Sequence, residues 1–339
     1  MIYGIVAASA AFLLAAVLAA LFRLPAQRIG LIDRRWQRPV PVVGGVAVVV
    51  ATCVVAGAGN WTRYAPLGDG VGGLVVAAAV VAGLGLIADF RRVKLRFLVG
   101  GTAIAAACVV PYAETGLFVG VLAVGWIVFV AVGFRALDHA DALAGTVGVV
   151  TAFGAGAIAA AEVMDGLAVL LSVLAAALTG FLMHNWPPAR VALGSCGSLF
   201  TGFLLASTAV FTRAGGDPLS DAGVLFALAA VAGADVVLVM LSRRFAGRPL
   251  LRRGPDHLAH RLRRLGLTPQ GAVVILALCA FAAVAVGVLV HVGWVGESAV
   301  VWVAGGAVVV VVGLLGVPVY GPRRSASPQV TGQLRVRNG

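Results

Sequence analysis

Charge is what this chain has least of. Only 11% of its 339 residues are Asp, Glu, Lys or Arg, against 61% hydrophobic residues. A soluble globular domain needs far more polar surface than that, so the soluble class is excluded. Acid is scarcer than base: 13 acidic residues stand against 25 basic ones, a net charge of +12. That excess points to no nucleic acid partner, because the basic residues sit in short loops between apolar runs, where they orient a membrane protein. Cysteine is rare. Cys53, Cys108, Cys196 and Cys279 are scattered through apolar stretches, with neither metal-site spacing nor a disulfide framework. A basic leader is missing, since the first apolar run follows Met1-Ile2-Tyr3 directly and is too long for a signal-peptide core. It reads as a retained span. There is no strong internal repeat, which counts against an inverted-repeat transporter. Gly83-Leu-Gly85 looks like part of a dinucleotide-binding fingerprint but lies inside an apolar run, without the strand–turn–helix that the motif requires.

What the chain does have is membrane-length hydrophobicity, with a mean hydropathy of +1.05. A helix of about 20 apolar residues crosses the ~30 Å hydrocarbon core. Apolar runs of roughly that length lie at about 2–22, 42–58, 70–88, 97–112, 118–134, 142–163, 166–183, 198–212, 222–242, 271–292 and 299–319. The pattern predicts an all-α polytopic membrane protein with about 10–11 transmembrane helices in one domain, 1–319. A polar, basic and disordered tail, 320–339, follows. If the loops after odd-numbered spans share one side, only Arg63 and Arg213 fall on the other. The positive-inside rule makes the basic side cytoplasmic and puts the N-terminus outside. This is the plan of a multi-pass protein of the cell membrane.

Acids kept on that basic face are the informative ones. They are Asp33, Asp89, Asp138, Asp141 and Asp256, with Asp235 inside the ninth span. Asp138 and Asp141 are three residues apart, a spacing that aims both side chains at one spot on a helix. From the residues alone they are equally a functional pair or solvated loop acids. His257 and His260 in Asp256-His-Leu-Ala-His260-Arg261 equally suit a basic interfacial helix on lipid headgroups.

Taken in order, the loops of this face resemble the polyprenyl-phosphate N-acetylhexosamine-1-phosphate transferases, which include the phospho-N-acetylmuramoyl-pentapeptide transferases. Pro41 with Gly44-Gly45 is similar to the family's Pro-x-x-Gly-Gly, and Gly85-Leu-Ile-Ala88-Asp89 to Gly-Leu-x-Asp-Asp, with Ala88 for the first Asp. Asp138-His-Ala-Asp141-Ala142-Leu-Ala resembles Asp-x-x-Asp-Gly-Leu-Ala, and Asn185-Trp-Pro-Pro188-Ala-Arg190 resembles Asn-x-x-Pro-Ala-Lys. Gly194-Ser195-Cys-Gly197-Ser198 resembles Gly-Asp-x-Gly-Ser, with Ser195 for Asp. Val132 and Arg135 stand where the family usually carries Asn. Asp235, Arg244 and the histidine loop complete the series.

The resemblance implies that the protein transfers a HexNAc-1-phosphate from a UDP-N-acetylhexosamine to a polyprenyl phosphate at the bilayer's cytoplasmic face, releasing UMP for cell-wall or surface-glycan synthesis. It implies catalytic roles for Asp89, Asp138, Asp141, His257 and His260. It implies substrate binding by Asn185, Arg190, Arg261, Gly44 and Gly45, and Mg2+ held by Asp89 and Asp138. By the same resemblance Ser195 occupies a principal metal-ligand position, and the assembly is a homodimer. The alternative is a catalytically degenerate relative serving as a membrane scaffold or as a binder of lipid phosphate or nucleotide sugar.

Overall fold

The computed structural model describes residues 2–33, 40–68, 70–91, 93–249 and 254–320. The expected tail from 321 onward lies outside these residues, as do Arg34, Arg35, Arg38, Asp69, Arg92, Arg252 and Arg253 of the loops. The described chain is helical throughout, apart from two short strands. In order, the helices are α1 (Ile2–Arg28), α2 (Gly44–Trp61), α3 (Val71–Phe90), α4 (Leu95–Val109), α5 (Tyr112–Leu137), α6 (Leu143–Ala161), α7 (Asp165–Asn185), α8 (Gly194–Thr212), α9 (Pro218–Phe245), α10 (Leu258–Arg264), α11 (Pro269–His291) and α12 (Ala299–Leu315). Between α1 and α2, β1 (Ile32–Asp33) and β2 (Val40–Pro41) pair antiparallel, with Ile32 opposite Pro41. Among the described residues nine helices are long and apolar enough to cross a bilayer, and α4 and α12 are shorter apolar helices. Each of the eleven apolar runs thus forms a helix, and the protein is a multi-pass membrane protein. The remaining helix, α10, is a short basic segment between α9 and α11.

The bundle is built around α8. All its residues are buried except Phe211, while other spans expose broad apolar faces of the kind that lipid covers. A buried polar group costs free energy unless it finds a partner; the Thr201 hydroxyl of α8 has none among the described residues, but most of the helix's hydroxyls do. The hydroxyls of Ser198, Ser207 and Thr208 do this by donating to the carbonyls of Gly194, Phe203 and Leu204 one turn back, at 2.6–2.7 Å. Close approach of the surrounding helices needs small residues. A Cβ on Gly45 of α2 would lie 2.2 Å from Gly197 N, and one on Gly85 of α3 would lie 2.4 Å from Ser195 O. These contacts draw α2 and α3 against the first turn of α8.

Two boundaries differ from the sequence expectation. The stretch Gly194–Gly197 is the first turn of α8 rather than a loop, and Asp89 lies in the last turn of α3 rather than beyond it. Glycine and serine lower the hydropathy of a helix start without preventing a helix.

Candidate active site

The segments flagged in the sequence meet at one end of the bundle, and the meeting point is the N-terminus of α8. The first backbone N–H groups of a helix have no partner within it and carry the positive end of its dipole. Gly194, at φ +74°, bends the chain into this helix start. Its N–H donates to Asp138 Oδ2 at 3.0 Å. The next two, from Ser195 and Cys196, donate to Asp89 Oδ1 and Oδ2 at 2.9 and 3.0 Å. Carboxylates from α3 and from the α5–α6 turn therefore bind three consecutive amides. Arg135, in the last turn of α5, donates from Nε to Ser195 Oγ at 3.1 Å. Ser195 and Arg135, two of the departures from the family pattern, are thus in contact.

Asp141 accepts from the Ala189 N–H at 3.1 Å, and burial raises its pKa even though that bond and Arg263 act in the opposite direction. Ala142 adopts the left-handed conformation, φ +61°, where the family pattern has glycine. Asn185 holds this turn: its Oδ1 accepts from Ala142 N at 2.8 Å and its Nδ2 donates to Val191 O at 2.7 Å. Asn185 is buried and both ends of its amide are engaged with backbone, so it positions the turn. Gly44 and Gly45 also serve packing. Their N–H groups bond Ala192 O and Leu193 O, and a Cβ on Gly44 would lie 2.1 Å from Phe181.

The histidine loop closes over the same turn. Asp235 is buried in α9. Its Oδ1 accepts the Leu258 N–H at 2.8 Å, and its Oδ2 lies 2.8 Å from His257 Nδ1. His257 stacks on His139 with ring centroids 4.0 Å apart and planes 18° from parallel, and His260 tilts against His139 at 4.9 Å. His139 was not singled out from the sequence. Its position between Asp138 and Asp141 was the available signal. Its Nδ1 lies 2.9 Å from Ala136 O, while its buried Nε2 has no hydrogen-bond partner. Burial, and then His257, push its pKa down to about 3. Burial and the same neighbour push His260 down to about 4.

Arg261 lies elsewhere. It is 1% exposed and donates to Asp256 O, Leu314 O, Val317 O and Ser242 Oγ. Asp256 in turn pairs with Arg243 at 2.9 Å and accepts from Tyr320. Arg261 therefore anchors α10 to the end of α12, and its guanidinium is engaged with protein groups. Arg190 is exposed. Beside His260 an open depression of about 420 Å³ is lined by Pro255, His260, Arg263, Arg264, Leu267 and Pro269.

The residues suggested for Mg2+ do not suit it. That ion takes near-octahedral oxygen ligands, with carboxylates and water prominent. Both oxygens of Asp89 and one of Asp138 are engaged with amides, and the Ser195 hydroxyl faces a guanidinium. A dication about 5 Å from that guanidinium would be repelled by roughly 6–7 kcal/mol at an effective dielectric of about 20. His139, Asp235 and His257 bring ligand atoms within 4.8 Å of one another. Two near-parallel rings 4.0 Å apart, however, cannot both aim in-plane lone pairs at one ion about 2 Å away.

Comparison with known proteins gives a consistent result. Residues 71–213 match the glycosyl transferase family 4 model. A provisionally named glycosyltransferase of Streptomyces coelicolor is 64% identical over 327 residues, covering 95% of this chain and 80% of the relative. A provisionally named undecaprenyl-phosphate N-acetylglucosaminyl 1-phosphate transferase of Bacillus subtilis is 26% identical, covering 75% of each chain. Decaprenyl-phosphate N-acetylglucosaminephosphotransferase of Mycobacterium tuberculosis is 28% identical, covering 76% of this chain and 74% of the relative.

Proposed function

The chain belongs to glycosyl transferase family 4, and on that premise we propose that it transfers a HexNAc-1-phosphate from a UDP-N-acetylhexosamine to a polyprenyl phosphate at the cytoplasmic face of the membrane. The observation that carries this reading is the convergence of Asp89 and Asp138 on the α8 N-terminus, with Asp141 and the three histidines on the adjoining turn.

In the proposed step an oxygen of the polyprenyl phosphate attacks the sugar-bearing phosphorus of the donor. One P–O bond forms, the bond to the UMP oxygen breaks, and UMP leaves with that electron pair. A phosphate monoester has its second pKa near 6, so the acceptor is mostly dianionic at neutral pH and needs little help from a base. What the step needs is alignment of two anionic substrates and screening of their charge. Arg263 and Arg264 supply cations at the depression beside His260, the exposed Arg190 follows Ala189, whose N–H binds Asp141, and the lipid tail of the acceptor stays among the spans. Asp138 fixes the turn that carries His139, while Asp235 orients the His257 ring through Nδ1. Members of this family typically use Mg2+. The donor set here does not fit that ion.

Isotope exchange tests the reading. Purified protein with polyprenyl phosphate should move labelled UMP into UDP-N-acetylglucosamine or a related donor, and Asp138→Asn should lose at least ~100-fold of that rate. Retained polyprenyl-phosphate binding with no exchange from any UDP-HexNAc would refute the transferase reading and leave the scaffold.

A further inference from the structure

We propose that Arg135 is the resident cation of this site and that the protein handles its phosphate substrates without a divalent metal. The proposal rests on the transferase reading for what the site binds, but not for the charge it holds.

The geometry is local and connected. Arg135 Nε bonds Ser195 Oγ, the Ser195 N–H bonds Asp89 Oδ1, and the preceding N–H, from Gly194, bonds Asp138 Oδ2. One guanidinium and two carboxylates therefore share two adjacent residues of α8. The helix end adds roughly +0.5 of a charge. With Asp89 and Asp138 ionised and Arg135 positive, these groups and the helix end together sum to about −0.5. Now consider Asn at 135 and Asp at 195, the residues that the family pattern carries there. Loss of Arg135 and gain of a carboxylate lower the sum by two charges, to about −2.5. One divalent cation restores the first value. These two departures are in contact, and exchanging them changes the charge by that of one dication, while Ala88, a further departure, removes another negative charge beside Asp89. This chain thus meets the site's demand for positive charge covalently. A guanidinium also suits the ligand, since its planar fork donates paired hydrogen bonds to phosphate oxygens.

The test uses full-length protein in nanodiscs, with Mn2+ as a hard, oxygen-seeking probe read by electron paramagnetic resonance. The wild type should bind no Mn2+ at this site that Asp138→Asn removes. The double variant Arg135→Asn with Ser195→Asp should gain one site at least ~10-fold tighter than any in the wild type. In parallel, wild-type UMP exchange should stay within about twofold in EDTA, whereas exchange by the double variant should require metal. A wild-type Mn2+ site lost in Asp138→Asn would overturn the proposal, as would wild-type exchange abolished by EDTA. If the double variant does not fold, the wild-type binding measurement decides alone. Absence of exchange in every protein, with the Mn2+ pattern as expected, would remove the transferase reading and leave the resident cation standing.

Discussion

Replacing Asp89 with Asn tests whether this carboxylate is the N-terminal cap of the central helix. The two side chains have nearly the same shape, so packing is preserved and hydrogen bonding changes. Asp89 accepts from Ser195 N and Cys196 N at 2.9 and 3.0 Å. An Asn at 89 keeps one acceptor and turns an NH2 group toward the other amide, leaving a buried N–H without a partner. Such a group costs about 1–3 kcal/mol, and loss of the negative charge from a partly buried helix N-terminus adds up to about 2 kcal/mol. The expected total is about 2–4 kcal/mol. Since about 1.4 kcal/mol is a factor of ten, local opening of the first turn of α8 should rise by roughly 30- to 700-fold. Hydrogen exchange followed by mass spectrometry in nanodiscs, on peptides covering 193–199, reads this directly. Protection should collapse at Ser195 and Cys196 and be retained in the middle of α8, where Phe200 and Phe203 are fully buried. Unchanged protection at 195 and 196 would refute the capping argument, whatever the variant does to activity.

Three further outcomes follow from the same geometry. Ala142→Gly should stabilise the protein by about 1 kcal/mol, because a non-glycine residue at φ +61° is strained by about 1–2 kcal/mol; an unchanged or lowered unfolding midpoint would contradict this. Arg261→Ala should destabilise by about 3–5 kcal/mol by leaving the carbonyls of Asp256, Leu314 and Val317 without their donor, and Lys, which lacks the fork, should not rescue it. Acid should also weaken the fold through His139. Its folded pKa, about 3, lies below the ordinary value near 6.5. Above pH ~6.5 neither state is protonated there. Between about 6.5 and 3 only the unfolded chain takes up the proton, so stability falls as pH falls. Thermal midpoints measured from pH 7.5 to 4 should decline less steeply in His139→Asn, and parallel profiles would count against it.

The number and order of the helices were legible because lipid imposes a strong pattern, and each of the eleven apolar runs is a helix. The partnership of Asp89 with Asp138 was legible only as two acids on one face. That both bind the same helix start depends on Gly85 letting α3 reach α8, a matter of packing rather than spacing. Arg261 shows the limit most clearly. An arginine beside a histidine loop is equally suited to a phosphate or to buried carbonyls, and only the position of α12, some fifty residues later, decides. Gly44 and Gly45 are similar, since the pattern marks them as special while the structure gives the reason as close contact with Phe181 and Gly197. The contact between Arg135 and Ser195 joins residues sixty positions apart, each of which alone reads as a loss.

The most direct measurement of the central claim is complete transfer by the purified protein. Protein in nanodiscs would be given polyprenyl phosphate and UDP-N-acetylhexosamine, with lipid products and UMP followed together by mass spectrometry. The account predicts a polyprenyl diphosphate sugar and UMP in equal amounts, with both strongly reduced in Asp138→Asn. UMP without the lipid product, or equal yields from wild type and variant, would contradict it.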